Sequence, residues 1–179
     1  MNDQLYVLQL VAERLEKAVI PYMVSGSIAM NYYAQPRLTR DIDIVIELAP
    51  TDAERIIELF ESDFYIVEET VRTAIARQSL FNVIHNNLIV KIDFIVKKDT
   101  PYRKNEFSKR LLVKIDNFKL WLVTAEDLIL SKLVWAKDSH SQMQLNDIRN
   151  LLASVPDLDL GYIKHWATEL NVMSLWSQI

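Results

Sequence analysis

Residues 41–48 read Asp-Ile-Asp-Ile-Val-Ile-Glu-Leu, and this alternation narrows the choice of fold more than anything else in the chain. Successive side chains of a β-strand point to opposite faces, at about 3.3 Å per residue. Ile42, Ile44, Ile46 and Leu48 therefore share a core face, and the opposite face begins with Asp41 and Asp43, about 6.6 Å apart at Cα. Residues 88–97 repeat the pattern: Leu88, Val90, Ile92, Phe94 and Val96 form an apolar face, with Lys91 and Asp93 opposite. If the two strands are neighbours, three carboxylates meet on one patch of sheet. Such a cluster is repulsive, and partial burial makes it more so. A divalent cation would resolve the conflict, and Mg²⁺ in particular takes one or two carboxylates together with substrate phosphates. The alternative is an ordinary solvated strand face with Arg37 or Arg40 nearby.

Only two glycines occur, Gly26 and Gly161, against roughly 12 or 13 at average usage. Neither a dinucleotide-binding fingerprint nor a P-loop can be assembled from them. There are no cysteines, which excludes disulfides and thiolate metal sites, and His85, His140 and His165 are too scattered for a zinc pair. Any phosphate binding must use another device. Gly26-Ser27 offers one, because it sits where a short strand, Tyr22-Met23-Val24, turns into a helix reaching about Tyr33. Helix N-terminal N–H groups and the helix dipole attract anions, and glycine lets a phosphate come close. The plainer reading is a helix N-cap beside a glycine.

Around this centre the pattern predicts an amphipathic helix over 3–19, ended by Pro21, and a helix to about Glu61 opened by a Thr51/Glu54 capping box. A strand and helix follow in 64–77. Strands 79–84 and 88–97 form a hairpin turning at Asn86-Asn87, and 111–115 with 118–123 form another. From Thr124 the chain is helical, with capping-box spacings at Thr124/Asp127 and Ser141/Gln144 and short helices over 160–169 and 172–177. The expected organisation is an α/β (α+β) core over 1–123 with a helical part, 124–179, packed against it.

At 179 residues, half of them hydrophobic, the chain can bury a sizeable core. It contains no run long enough to span a membrane and opens without a signal-peptide profile, so a soluble, cytoplasmic protein is expected. The net charge of −4 argues against a broad nucleic-acid surface. Locally, seven basic and two acidic residues fall between Lys97 and Lys114. They read as a solvated loop and helix face, or as a lip contacting a phosphate-bearing acceptor.

The combination is more specific than its parts. Val24-Ser25-Gly26-Ser27, thirteen intervening residues, Asp41-Ile42-Asp43-Ile44 and a later Lys91-Ile92-Asp93-Phe94 resemble the DNA polymerase β-like nucleotidyltransferase superfamily. Arg37-Leu38-Thr39-Arg40-Asp41-Ile42-Asp43 looks like the Arg-x-Thr-x-Asp-x-Asp segment of its minimal members, including the abortive-infection toxin type. The segment from Thr124 to Leu133 resembles their Glu-Asp-Leu-x-x-x-Lys helix, and Asp147 matches an acid of the next.

That resemblance implies a mixed nucleotidyltransferase-type sheet flanked by helices, and transfer of a nucleoside monophosphate from a nucleoside triphosphate such as ATP to a hydroxyl, with release of pyrophosphate. It assigns Asp41, Asp43 and Asp93 as catalytic metal ligands for two Mg²⁺ ions (or Mn²⁺), with Asp93 also helping to deprotonate the acceptor. Gly26 and Ser27 would bind the β- and γ-phosphates. Arg37 is a phosphate clamp or an ion-pair partner. Thr39 is a phosphate donor or a tie across the turn before the strand. Lys132 reaches the triphosphate or pairs with Asp147 across two helices. The acceptor is an RNA end, a protein or a small molecule. Alternatives are a non-catalytic regulatory member, for example one half of a toxin–antitoxin pair with a cognate antitoxin as partner, and a metal-dependent nuclease, against which the Gly-Ser turn counts.

Overall fold

The computed structural model describes residues 3–39 and 41–179, so the reading of Arg40 as an aspartate partner lies outside the described residues. The first helix, α1 (Asp3–Lys17), buries Val7, Leu8, Val11, Ala12 and Leu15 along one stripe. It ends two residues earlier than the periodicity suggests. Val19 takes a left-handed φ of 54°, and Ile20 N–H donates to Leu15 O while Val19 N–H donates to Glu16 O. These are the paired bonds of a Schellman stop.

The chain then builds β1 (Tyr22–Val24), α2 (Gly26–Tyr33), β2 (Asp41–Ile46), α3 (Ala53–Phe60), β3 (Phe64–Tyr65), α4 (Glu68–Arg77), β4 (Leu80–His85) and β5 (Lys91–Val96). Next come α5 (Pro101–Ser108), β6 (Leu111–Ile115), β7 (Phe118–Leu122) and the helices α6 (Ala125–Ser139), α7 (Gln142–Ser154), α8 (Leu160–Glu169) and α9 (Met173–Trp176). The seven strands form one mixed sheet in the order β3-β4-β5-β2-β1-β7-β6. The pairs β2–β5 and β1–β7 are parallel and the others antiparallel. No described helix is long and apolar enough to cross a membrane.

Three local expectations are corrected. Thr51 and Glu54 do not form a capping box: a single 3-10 turn over Pro50–Asp52 precedes α3, the Asp52 carboxylate accepts from Ala49 N–H at 2.7 Å, and Glu54 pairs with Arg72 instead. The β4–β5 connection is longer than a two-residue turn. Without a glycine at Asn86-Asn87 to supply two positive φ angles, the left-handed residue falls at Ile89, and Leu88 N–H donates to His85 Nδ1 at 3.2 Å. Ser141 gives no side-chain cap to α7. Thr124 does cap α6, its hydroxyl accepting from Asp127 N–H at 3.2 Å.

The core is a single apolar cluster containing residues from α1, the sheet and the C-terminal helices as far as Val172. Ile42, Ile44, Ile46, Ile92, Phe94 and Val96 face it, as the alternation requires. Phe94 stacks on Phe81 at 5.1 Å and lies 5.4 Å from Phe60. Helix α6 is buried on several sides, with Leu128, Ile129, Leu130 and Leu133 enclosed, and packs against α2, α7, α8 and α9. Phe94→Ala should cost about 3–5 kcal/mol of unfolding free energy, read as a lowered midpoint in urea denaturation.

Candidate active site

Strands β2 and β5 run side by side with no offset, so Asp43 stands opposite Asp93 and Asp41 opposite Lys91. Because both strands turn their apolar faces inward, all three aspartates point the same way, into a cleft of about 940 Å³ that all three line. Burial, and then the neighbouring Asp93, push the Asp43 carboxyl above its ordinary range, while a hydrogen bond from Ser27 backbone N–H opposes the shift. Lys91, which the sequence reading placed on this face without a role, sits between the other two. Its Nζ lies 3.2 Å from Asp41 Oδ2 and 2.9 Å from Asp93 Oδ2. Among the described residues, no three histidine, aspartate or glutamate side chains are drawn together as a ready metal cluster.

The Gly26-Ser27 turn abuts these carboxylates. Ser25 N–H donates to Asp43 O at 2.9 Å, tying the end of β1 to β2. Gly26 has φ +58°, and a Cβ there would lie 1.8 Å from Asp43 Oδ2. Any side chain would overlap the carboxylate. The N-terminus of α2 is thereby held against Asp43.

Arg37 and Lys132 meet at one acid. Arg37 Nη2 donates to Ser27 Oγ at 2.9 Å and to Asp147 Oδ2 at 3.2 Å. Lys132 Nζ donates to the same Asp147 oxygen at 2.7 Å and to Gln144 Oε1 at 3.1 Å. Burial, the largest influence, holds the Lys132 ammonium below its ordinary range against the pull of Asp147. Of the two readings of Lys132, pairing across packed helices is the arrangement seen, in a side chain that also lines the cleft. Thr39 Oγ1 donates to Asp41 O at 3.2 Å and so ties down the turn before β2.

Several contributors are not apparent in the sequence. Asn31 grips the backbone of Arg37 from both sides, accepting from its N–H at 2.9 Å and donating to its carbonyl at 3.0 Å. Gln144 serves Lys132 rather than a cap. Arg103 pairs with Glu106, which is 1% exposed, and both bond Ser131 at 2.8 Å on the cleft wall. Trp135, 57% exposed, lines the same cleft. The basic stretch is not a continuous lip. Lys97, Lys98 and Arg103 reach the cleft, whereas Lys104 pairs with Asp99, Lys109 lies over Tyr162, and Arg110 covers Phe107 and Trp121.

No protein-family model matches this chain, and no curated protein sequence matches it. Solved structures do. The antibiotic-resistance factor ANT(2'')-Ia superposes with a TM-score of 0.65 at 10% identity, covering 98% of this chain and 91% of that one. A nucleotidyltransferase-like antigenic protein from Paracoccidioides brasiliensis gives 0.59 at 20% identity over 87% and 77% of the two chains. The lincosamide antibiotic adenylyltransferase LnuA, with lincomycin bound, gives 0.54 at 14% identity over 87% and 98%. The chain has the nucleotidyltransferase fold, an α+β arrangement around a mixed sheet.

Two predictions follow from the Gly26–Asp43 contact and from the charge on Asp43. Gly26→Ala should destabilise the wild type by about 1–3 kcal/mol through overlap and the left-handed backbone, and less in an Asp43→Ala background, the difference being read in a double-mutant cycle of urea midpoints. Asp43→Asn should melt at a higher temperature than wild type at pH 7, because a raised carboxyl makes its charge a cost to folding. The gap should open as pH rises above the ordinary aspartate value of 3.8 and vanish below it.

Proposed function

We propose that this chain is an enzyme that transfers a nucleoside monophosphate from a nucleoside triphosphate to an acceptor hydroxyl, releasing pyrophosphate. The observation that carries this reading is the register that sets Asp43 beside Asp93 at the mouth of the Gly26-Ser27 turn. The neighbours described as adenylyltransferases support nucleotidyl transfer as the class of chemistry and ATP as a donor.

In this reading the acceptor oxygen bonds to the α-phosphorus as the bond to the bridging oxygen of the β-phosphate breaks, and the acceptor's proton passes to Asp93. Ser27, Arg37 and Lys132 bind the departing β- and γ-phosphates. Arg37 suits that role because it lines the cleft and its guanidinium donates to the Ser27 hydroxyl. Thr39 fixes the approach to β2. The donor set, carboxylate oxygens on one face, fits a hard divalent cation such as Mg²⁺ or Mn²⁺, and the ammonium held between Asp41 and Asp93 marks a position where these oxygens accept positive charge. Asp41, Asp43 and Asp93 would hold it, and a pair of such ions would supply charge neutralisation of the phosphates and of the leaving group.

The acceptor is an RNA end, a protein side chain or a small molecule. The structural likeness to an antibiotic-resistance factor and a lincosamide adenylyltransferase favours the last, and Lys97, Lys98 and Arg103 on the cleft wall suit a phosphate-bearing one. Lys91 also supports a second reading, a non-catalytic member acting with a partner such as an antitoxin, because its ion pairs compensate the carboxylates without a metal. Incubation with α-labelled nucleoside triphosphates and Mg²⁺ over RNA, protein and aminoglycoside or lincosamide acceptors separates the two. Labelling should occur and fall by at least about a hundredfold in Asp41→Ala/Asp43→Ala. An unlabelled panel, together with no Mg²⁺-dependent nucleotide binding in calorimetry, would refute transfer.

A further inference from the structure

Lys91 reaches its place by the simplest geometry. Position 91 is two residues from Asp93, hence on the same face of β5, and the β2–β5 register sets it opposite Asp41. Its Nζ bridges Asp41 Oδ2 at 3.2 Å and Asp93 Oδ2 at 2.9 Å. The lysine side chain is 36% exposed and that of Asp93 13%, so the ammonium closes the solvent side of a carboxylate pair whose inner member is shielded. A lysine carries its charge on a flexible four-carbon stem and can leave without disturbing the strand.

An ammonium and a divalent cation cannot both occupy the space between Asp41 and Asp93. Resting on the nucleotidyl-transfer reading of this site, we infer that Lys91 is a built-in counter-ion that holds one cation position of the cluster in the nucleotide-free protein and is displaced when metal arrives with the triphosphate. Loading is then ordered. Metal alone must break two ion pairs and leave a displaced ammonium facing a dication, whereas metal bound to a triphosphate brings the negative charge that receives Lys91. The site stays electrostatically balanced before substrate binds and takes up its metal together with the nucleotide.

The test compares wild type with Lys91→Met by Mn²⁺ titration, followed by electron paramagnetic resonance of free Mn²⁺, with and without a non-hydrolysable ATP analogue. Without nucleotide, Lys91→Met should bind Mn²⁺ about tenfold more tightly than wild type, and the analogue should narrow that gap. Equal or weaker Mn²⁺ binding by Lys91→Met overturns the inference while leaving nucleotidyl transfer intact, provided that wild type binds Mn²⁺ with the analogue. Absence of Mn²⁺ binding under every condition overturns both. In the wild-type protein, reductive methylation read by mass spectrometry gives a check independent of the variant's folding. Saturating Mn²⁺ should speed modification of Lys91 severalfold, and an unchanged rate alongside measured Mn²⁺ binding overturns the displacement.

Discussion

The parallel pairing of β2 with β5 at zero offset is the constraint on which the rest of the site depends. Apolar side chains hold the two inner faces together: Ile42 pairs with Ile92 and Ile44 with Phe94. A slip of one residue would turn an entire strand's apolar set outward. In the register observed, Asp43 stands beside Asp93 on the opposite face. The pairing therefore creates an electrostatic conflict between neighbouring carboxylates. Relief comes from two sources: the Ser27 backbone N–H of α2 toward Asp43, and Lys91 of β5 itself, between Asp41 and Asp93.

The C-terminal helices take part in this balance as well as in packing. Lys132 on α6 and Arg37 before β2 are both cations pointed toward the cleft, and each would repel the other without Asp147 on α7. One carboxylate oxygen serves both. The Arg37–Asp147–Lys132 group, in which Asp147 and Lys132 are buried, thus joins the Gly-Ser turn to α6 and α7, and the position of the phosphate-binding candidates depends on helix packing far from the strands. Removing Asp147 alone would leave two partly buried cations uncompensated, a costlier defect than losing an exposed ion pair.

How far the sequence reveals this arrangement depends on the range of the interaction. Alternation of period two is local, so the strands and the faces of Asp41, Asp43 and Asp93 could be read directly. The side on which β5 lies, and in what register, is set by contacts between Ile42 and Ile92, fifty positions apart, and had to come from resemblance. Lys91 was visible on the correct face, but an ion pair across strands cannot be read from one strand. Asn31, Gln144 and Glu106 escaped for the same reason: each looks like an ordinary polar helix residue until its partner on another element is known. The Thr51 and Ser141 capping boxes failed because Glu54 and Gln144 found distant partners in Arg72 and Lys132 that the capping pattern does not weigh.

Glycine scarcity separates two explanations for Gly26 that are usually entangled. Among the described residues, seven others adopt a positive φ while carrying side chains, including the β-branched Val19 and Ile89. Val19, Gln78 and Asn171 do so at Schellman stops of α1, α4 and α8, positions where glycine is the common solution. This chain therefore accepts the left-handed penalty, of about 1–2 kcal/mol per residue, wherever only backbone conformation is at issue. At Gly26 the φ is no more extreme, yet the Cβ would overlap Asp43. It is the closeness of the helix start to a carboxylate, rather than backbone freedom, that requires glycine here. The one positive-φ glycine therefore stands where the Gly26-Ser27 turn and the acidic strand touch.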